Sequence, residues 1–431
     1  PPAAPPPGRP AAIPAPPAAP SFSPSLADDV STLLAYAQIV PLKLEGGSLT
    51  TRQPAAVRRF LHAPDALDLC FQLCLQLNLL SGAPLKPDPA TARPFLELTR
   101  LAQTQTLAEA WRVSEDWNDL FRLPGLVFEG QAWRNEPTQA RRAVLKLLAE
   151  VPSGEWWSLD AFVAALKERA PDFQRPAGDY DSWYIRDAET QAYLRGFEHW
   201  ERVDGALARW FLEGPLAWLG LVELWRPETP TRLPPRRRGA LRRPGASASP
   251  SATAFRITPA GAAFLGHLPW VAVTLPAPAT HVHLSPDGVI RTPAALSPYN
   301  RFRVARVTKW LGLDGDTYTY RLTPASLRRA ARQGVTLERL LEFLREAADE
   351  HGLPPLLLAA LQRWARAGAE VAIEDLTVLR LSQPELLETL QRAPKIKPLL
   401  GPVLGPTAVA VRRDDVERLR AALAEAGFLS D

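Results

Sequence analysis

Methionine is absent from this 431-residue sequence, and cysteine occurs only twice. Because no initiator methionine is present, we expect the chain to be a processed or internal piece of a longer product. Cys70 and Cys74 lie four residues apart in an apolar run and are expected to be small core residues. A helical pair at this spacing has poor disulfide geometry, and no further thiol completes a metal site. A reducing, cytoplasmic compartment is therefore expected.

Long apolar runs and catalytic motifs are also missing. No stretch of about 18 apolar residues occurs, so the sequence predicts no membrane-spanning helix. The first residues are prolines and alanines with one arginine, unlike a secretion signal. Neither a G-x-S-x-G motif nor a Cys/His pairing suited to nucleophilic catalysis is found. We therefore expect no catalytic residue, no cofactor, no membrane contact and no small-molecule substrate.

Positive charge is concentrated in one segment. The chain carries a formal charge of +4, but residues 226–245 hold seven arginines and one glutamate, so the rest of the chain carries −2. This segment could bind nucleic acid non-specifically or contact an acidic partner, whereas the alternative is a solubilising loop. The residues predicted to bind nucleic acid there are Arg236, Arg237, Arg238, Arg242 and Arg243.

Composition and periodicity predict an α+β fold that is mostly helical and has four parts. Residues 1–25 form a disordered tail rich in proline and alanine. Residues 26–134 and 135–270 are tandem winged-helix-like domains, and the second contains a basic, disordered insertion at 227–252. Residues 280–431 alternate strands with helices and form a small C-terminal α/β domain.

Several helix ends carry recognisable capping residues. Ser158, Thr258, Thr323 and Thr336 each precede a helical run and are expected to be N-caps. Gly334 is expected to end the helix before Thr336. These positions predict a helical hairpin in the C-terminal part of the chain.

The segment from Leu322 to Leu400 resembles the N-terminal domain of XPB-type DNA helicases. The upstream segments GDYDSWYIRD and SEDWNDL are similar to those of bacterial helicase-associated proteins that carry the same C-terminal domain. The resemblance implies a domain that docks another subunit, alongside winged helices that often bind duplex DNA. The positions that carry it are Leu322, Thr323, Pro324, Ser326, Leu327, Gly334, Pro354, Val371 and Pro384-Glu385.

XPB-type helicases also have a phosphate-binding loop, and this sequence contains no G-x-x-x-x-G-K-[ST] motif. Such a loop wraps backbone N–H groups and a lysine around the nucleotide phosphates. We therefore predict that the protein is not an enzyme. The predicted function is a non-catalytic DNA-transaction module that binds DNA, docks a helicase or another repair or transcription protein, or does both. Such a module would be cytoplasmic, with nucleoid association left open. The alternatives are a structural protein–protein adaptor without nucleic-acid contact and, less favoured, an enzyme with a carboxylate site.

Two further groups of residues are candidates for binding. Arg328, Arg329 and Arg332 lie on a predicted helix-turn-helix and could contact phosphates, although an ordinary solvated helical hairpin has the same pattern. Trp183 and Trp270 lie in loop-like settings and are predicted to stack on or contact a partner.

Two other clusters are better explained by structural roles. His281 and His283 alternate on a predicted strand, with Asp287 nearby, but this spacing is more typical of structural histidines than of a metal site. Asp179, Asp181 and Asp187 could form an acid/base or metal site. Aspartates in turns, however, usually bond the local backbone, so we predict no metal site.

Overall fold

The computed structural model describes residues 10–14, 26–45, 48–50, 52–130, 133, 135–226, 254–275, 279–368 and 377–428. The chain divides into two compact units, Pro1–Gln362 and Arg363–Asp431. Both units combine helices with small sheets, which confirms the predicted mixed, mostly helical architecture. The predicted boundaries near residues 135 and 280 lie inside the first unit and stay predictions.

The first unit begins with a layer of helices and two small hairpins. Helix α1, Leu26–Ile39, is buried along most of its length, and the buried residues include the acidic first turn, Asp28 and Asp29. Cys70 and Cys74 are free thiols on α3, and burial raises the pKa of both. The elements are β1 Ala12–Ile13, α1 Leu26–Ile39, β2 Leu44–Glu45, β3 Ser48–Leu49, α2 Arg52–Arg58, α3 Leu67–Gln76, β4 Leu80–Ser81, β5 Lys86–Pro87, α4 Ala92–Glu97 and α5 Arg100–Val113.

The middle of the first unit adds helices around a four-stranded sheet. Its elements are β6 Leu126–Phe128, α6 Pro137–Leu148, β7 Trp156–Ser158, α7 Leu159–Arg169, β8 Ile185–Asp187, α8 Ala206–Phe211, β9 Val222–Trp225, β10 Ala254–Ile257 and α9 Pro259–Phe264. The sheet has the strand order β1-β7-β10-β9, and every pair in it is antiparallel. Strand β6 pairs instead with β8, which lies far along the chain.

Strand β1 differs from the prediction for the N-terminal segment. Residues 1–25 were expected to be a disordered tail, yet Ala12 and Ile13 pair with Trp157 and Trp156 on the outer edge of β7. The backbone N–H of Ser158 also donates to the carbonyl of Ala11. An unpaired sheet edge offers backbone donors and acceptors to a passing segment, and composition alone does not reveal such an edge.

Helix α8 lies between two π-helical segments, Glu201–Gly205 and Leu212–Leu216. The second π-helical segment contains Gly214, whose φ of −105° and ψ of −107° are not helical. Pro215 follows it and has no N–H to donate to the helical ladder. The backbone therefore kinks at this point.

The last part of the first unit is a sheet packed against helices. Its elements are β11 His283–Leu284, β12 Val289–Pro293, α10 Pro298–Val307, β13 Lys309–Asp314, β14 Thr317–Arg321, α11 Pro324–Arg332, α12 Leu337–Ala347 and α13 Pro355–Ala367. The strand order is β11-β12-β14-β13, again with antiparallel pairs. Helix α10 also packs against α1, which joins this part to the start of the unit.

The predicted capping residues are confirmed. The hydroxyl groups of Ser158, Thr258 and Thr336 each accept an N–H from the first turn of their helix. Thr323 forms a capping box with Ser326, in which each side chain accepts the other residue's backbone N–H.

The second unit has a three-stranded antiparallel sheet with the order β15-β17-β16. Its core contains Leu387, Leu390, Val409, Leu419 and Leu423, contributed by both helices and by the central strand. Its elements are β15 Thr377–Arg380, α14 Pro384–Arg392, β16 Leu400–Gly405, β17 Ala408–Val411 and α15 Val416–Glu425.

Candidate nucleic-acid interface

A cleft of about 260 Å³ lies in the first unit, between α10 and the turn that joins α11 to α12. Three arginines line it, Arg303 and Arg306 from α10 and Arg339 from α12. Two aromatic rings, Tyr299 and Phe343, complete its walls. Arginine and aromatic side chains together are typical of sites that hold phosphates and bases. We refer to these five residues as the arginine cleft.

Helix periodicity explains why these side chains share one face. Tyr299, Arg303 and Arg306 are spaced i, i+4, i+7, which places them on one side of α10. Pro298 starts this helix at its first turn. On the other wall, Gly334 has a φ of 78° and ends α11, so the chain reverses before Arg339.

The three guanidinium groups differ in their partners. Arg306 donates to the side-chain oxygen of Gln333 at 2.9 Å and to its carbonyl at 2.8 Å, and burial lowers its pKa. Arg303 lies 4.0 Å from the centroid of the Phe343 ring and 3.8 Å from the Glu346 carboxylate. Arg339 is exposed and has no ion pair among the residues that the structure describes. The cleft therefore presents an excess of positive charge.

The arginines predicted on α11 lie in two environments. Arg328 and Arg332 are exposed. Arg329 is half-buried and donates to the carbonyls of Thr308 at 2.6 Å and Arg306 at 3.3 Å, so it supports the end of α10. Burial lowers the pKa of Arg329, and the charge of Arg332 adds to this effect. Sequence reasoning missed the cleft arginines, although the spacing after Pro298 was a signal for them.

The remaining predicted arginines belong to the basic segment. Arg236, Arg237, Arg238, Arg242 and Arg243 lie outside the described residues. The strands on either side, β9 and β10, are antiparallel neighbours that pair from Val222 with Ile257 to Trp225 with Ala254. The segment therefore joins two paired strands.

The two predicted tryptophans are placed differently. Trp183 is only 3% exposed and stacks on Trp133 with a centroid distance of 4.9 Å. The Arg175 guanidinium lies 4.3 Å from the Trp183 centroid, so this ring is a core side chain rather than an exposed one. Trp270 is half-buried against the main core, and contact with a partner there stays a prediction.

The aspartate cluster caps local turns. Asp179 accepts the backbone N–H and the hydroxyl of Ser182, and the hydroxyl hydrogen bond is the main reason that the pKa of Asp179 is lowered. Asp187 accepts the backbone N–H groups of Glu189 and Thr190, each at 2.9 Å. These contacts are the turn geometry that the sequence analysis favoured over an acid/base site.

Within the described part of the chain, the helices are too short or too polar to cross a bilayer. Residues 282–404 match the family model described as the helicase conserved C-terminal domain. A 114-residue stretch is 32% identical to the DNA 3'-5' helicase XPB of Kineococcus radiotolerans. That match covers 26% of this chain and 20% of the relative, so the chain spans about a fifth of the relative's length. The arginine cleft lies inside the residues that match the family model.

These matches correct one prediction. The sequence analysis concluded that the protein is not an enzyme, but both comparisons point to helicases, which are enzymes. The conclusion was wrong because it depended on one missing phosphate-binding motif. The similarity to the family model over residues 282–404 does not depend on that motif.

Proposed function

We propose that this protein acts in a helicase-related DNA transaction and holds nucleic acid at the arginine cleft. The observation that carries the proposal is the convergence of Arg303, Arg306 and Arg339 beside two aromatic rings, within the helicase-matched residues. Guanidinium groups pair with phosphate oxygens in a bidentate geometry. Aromatic walls accept stacked bases without sequence preference.

A salt-titrated binding assay tests this function. The double variant R303Q/R339Q removes two charges from the cleft. If each arginine contacts one phosphate, the slope of log affinity against log salt falls by about 1 to 2. Fluorescence anisotropy with labelled single-stranded and duplex DNA of random sequence measures both affinity and slope.

Arg142→Gln is a matched control, because Arg142 is exposed, has no ion pair among the described residues and does not line the cleft. It should leave the slope nearly unchanged. Absence of DNA binding by the unchanged protein at low salt, or equal losses in the control and the cleft variant, would contradict the proposal.

We also propose that residues 135–270 include a winged-helix unit and that residues 280–431 include an XPB N-terminal-like domain. The order α6, β7, α7, β8, α8, β9, β10 supports the first assignment, because β8 pairs outside the sheet and the remaining elements follow the helix, strand, helix, helix, strand, strand order of a winged helix. The capping box at Thr323 and the reversal at Gly334 support the second.

The basic segment would then occupy the wing position between β9 and β10. A five-alanine variant at Arg236, Arg237, Arg238, Arg242 and Arg243 should bind DNA more weakly and with a smaller salt slope. Unchanged binding would instead support a solubilising role for these arginines.

A second candidate function is docking of a protein partner such as a helicase. Tyr184 and Tyr193 are both exposed, and the Arg195 guanidinium lies 4.7 Å and 5.1 Å from their ring centroids. Tyrosine and arginine are enriched among the residues that dominate interface energies. The variant Y184A/Y193A should lose co-purifying helicase while keeping its affinity for DNA, and retention of that partner would argue against this surface.

A further inference from the structure

Strand β11 is attached to the end of α12 by backbone hydrogen bonds. The N–H of Val282 donates to the carbonyl of Ala347 at 2.7 Å, and the N–H of Asp349 donates to the carbonyl of Val282 at 3.1 Å. Val282 and Ala348 form a parallel bridge between the same two segments. These bonds fix the backbone positions of residues that are distant in sequence.

Three potential metal ligands meet at this attachment. His283 Nδ1 lies 2.9 Å from one carboxylate oxygen of Asp349, and His351 Nδ1 lies 3.3 Å from the other. The two imidazole centroids are 6.1 Å apart. One ligand atom from each residue lies within 4.8 Å of the others, and the side chains are 49%, 25% and 71% exposed for His283, Asp349 and His351.

We propose that His283, Asp349 and His351 bind one divalent transition-metal ion, with Zn²⁺ as the ion to test. Two imidazoles and a carboxylate form a common three-ligand set for Zn²⁺, with a water at the fourth position. Tetrahedral bonds of about 2.1 Å place ligand atoms roughly 3.4 Å apart. Because the ligand atoms lie within 4.8 Å of one another, the most distant pair must approach by at most about 1.4 Å, and rotation of the two exposed imidazoles allows this.

The sequence suggested His281, His283 and Asp287 as a possible metal site, and these are not the three residues that meet in the structure. His281 Nδ1 lies 2.7 Å from the hydroxyl of Thr280, and Asp287 lies 3.3 Å from the Arg321 guanidinium. Neither belongs to the cluster around Asp349. His283 is the residue common to both groups, and its partners come from the end of α12 because the fold brings that end to β11.

The alternative is a hydrogen-bonded cluster that never binds metal. In that case Asp349 alone orders the two imidazoles and the turn after α12, where the N–H of His351 donates to the Asp349 carboxylate at 3.1 Å. The two possibilities differ in affinity for the free ion. The proposal does not depend on DNA binding at the arginine cleft.

Isothermal titration of the untagged full chain with Zn²⁺ alone tests the site, and Co²⁺ absorption reports its geometry. We expect one equivalent to bind. H351A and H283A should each weaken binding at least tenfold, while H281A, two residues from a ligand, should bind as the unchanged protein does. D349N keeps an acceptor for the turn and should also weaken binding.

Saturable binding of one equivalent that H351A and H283A weaken and H281A does not would support the site. No binding by the unchanged protein, or equal binding by H351A and the unchanged protein, would overturn it. Circular dichroism of each variant separates loss of a ligand from loss of the fold.

Discussion

Arg141 is a fully buried charge on α6 in the first unit. Its side chain is 0% exposed, its Nε donates to the Asp119 carboxylate at 2.7 Å, and its Nη1 donates to the carbonyl of Trp111 at 2.9 Å. Asp119 also accepts the indole N–H of Trp117 at 2.7 Å. Burial raises the pKa of Asp119, and Arg141 opposes that rise.

Replacing Arg141 by methionine should lower the free energy of unfolding by about 3 to 5 kcal/mol, because the buried Asp119 carboxylate would lose its opposite charge and keep only hydrogen bonds from indole N–H groups. Arg142→Met, at the next residue of α6, removes an exposed charge and should change stability by less than about 0.5 kcal/mol. Urea denaturation of both variants measures the difference. Equal stabilities would show that the buried pair is dispensable.

Asp29 and His62 make opposite contributions to pH dependence. Burial raises the pKa of Asp29 to about 7 from 3.8 and lowers that of His62 to about 4 from 6.5. Folded Asp29 thus holds a proton that the unfolded chain has lost between pH 4 and 7, so its contribution to stability falls as pH rises. His62 stays neutral when folded, so its contribution rises between pH 4 and 6.5.

His62→Phe should remove the opposing contribution of His62 and leave that of Asp29. The backbone N–H groups of His62 and Ala63 that bind the Asp29 carboxylate are unaffected by the change, and phenylalanine can keep the edge contact with Tyr318. The variant should lose stability from pH 4 to 7 by at most about 1.4 kcal/mol per pH unit. Chemical denaturation across this range measures the slope, and identical profiles for variant and unchanged protein would contradict the assignment.

At the scale of single elements, the features predicted from the sequence are those with a local cause. Ser158, Thr258 and Thr336 cap helices because their hydroxyls reach N–H groups three residues on, within one turn of chain. The kink at Gly214 also has a local cause in Pro215, but it was not predicted. Strand β1 depends on a free edge of β7 that no local pattern marks.

Among the candidate sites too, residues on a single helix could be predicted from the sequence, whereas sites formed by distant segments could not. Arg328 and Arg332 were predicted as candidates from the sequence because they lie on one recognisable helix, and nucleic-acid contact there stays a prediction. The cleft joins α10 to α12, and the histidine–aspartate cluster joins β11 to the end of α12. Neither site can be predicted from the sequence, because each is formed by segments that are distant along the chain and meet only in the fold.

Gly261 in α9 shows how a contact between elements overrides helix propensity. Alanine would normally favour an interior helical position by about 1 kcal/mol over glycine. A Cβ atom at Gly261, however, would overlap the carbonyl oxygen of Leu221. Backbone displacement of this kind typically costs about 1 to 3 kcal/mol or more.

Gly261→Ala should therefore lower the thermal midpoint of unfolding rather than raise it. Gly312→Ala makes the same substitution in β13, where the added Cβ meets nothing within 4 Å, and it serves as the comparison. Thermal unfolding of both variants measures the two shifts. A G261A variant as stable as G312A would mean that α9 can move away from Leu221 without cost.

At the scale of the whole first unit, helix α10, which lies within the helicase-matched residues, packs against α1. Arg301 on α10 donates to the hydroxyl of Thr32 and to the carbonyl of Asp28, each at 2.6 Å. Asp28 also binds Arg100 at 2.7 Å. The match begins at residue 282, yet its first long helix is anchored on α1. The contacts that anchor α10 on α1 and the proposed binding surface thus lie on different faces of the same helix.

Arg301 and Arg303 allow the two roles of α10 to be separated by neighbouring substitutions. Arg301→Gln removes a buried arginine beside the Asp28 carboxylate and should lower the free energy of unfolding by about 3 kcal/mol or more. Its DNA affinity, measured at a temperature where the variant stays folded, should be nearly unchanged because Arg301 does not line the cleft.

Arg303→Gln should give the reverse result, with nearly unchanged stability and a smaller salt slope for DNA binding. The two variants remove the same charge from one helix, so a nonspecific effect of net charge would change DNA binding equally in both. Equal effects on DNA binding, or equal losses of stability, would mean that the buried and exposed faces of α10 are not functionally distinct. A crossed pattern can arise only if the face anchored on α1 supports the fold while the opposite face contacts DNA.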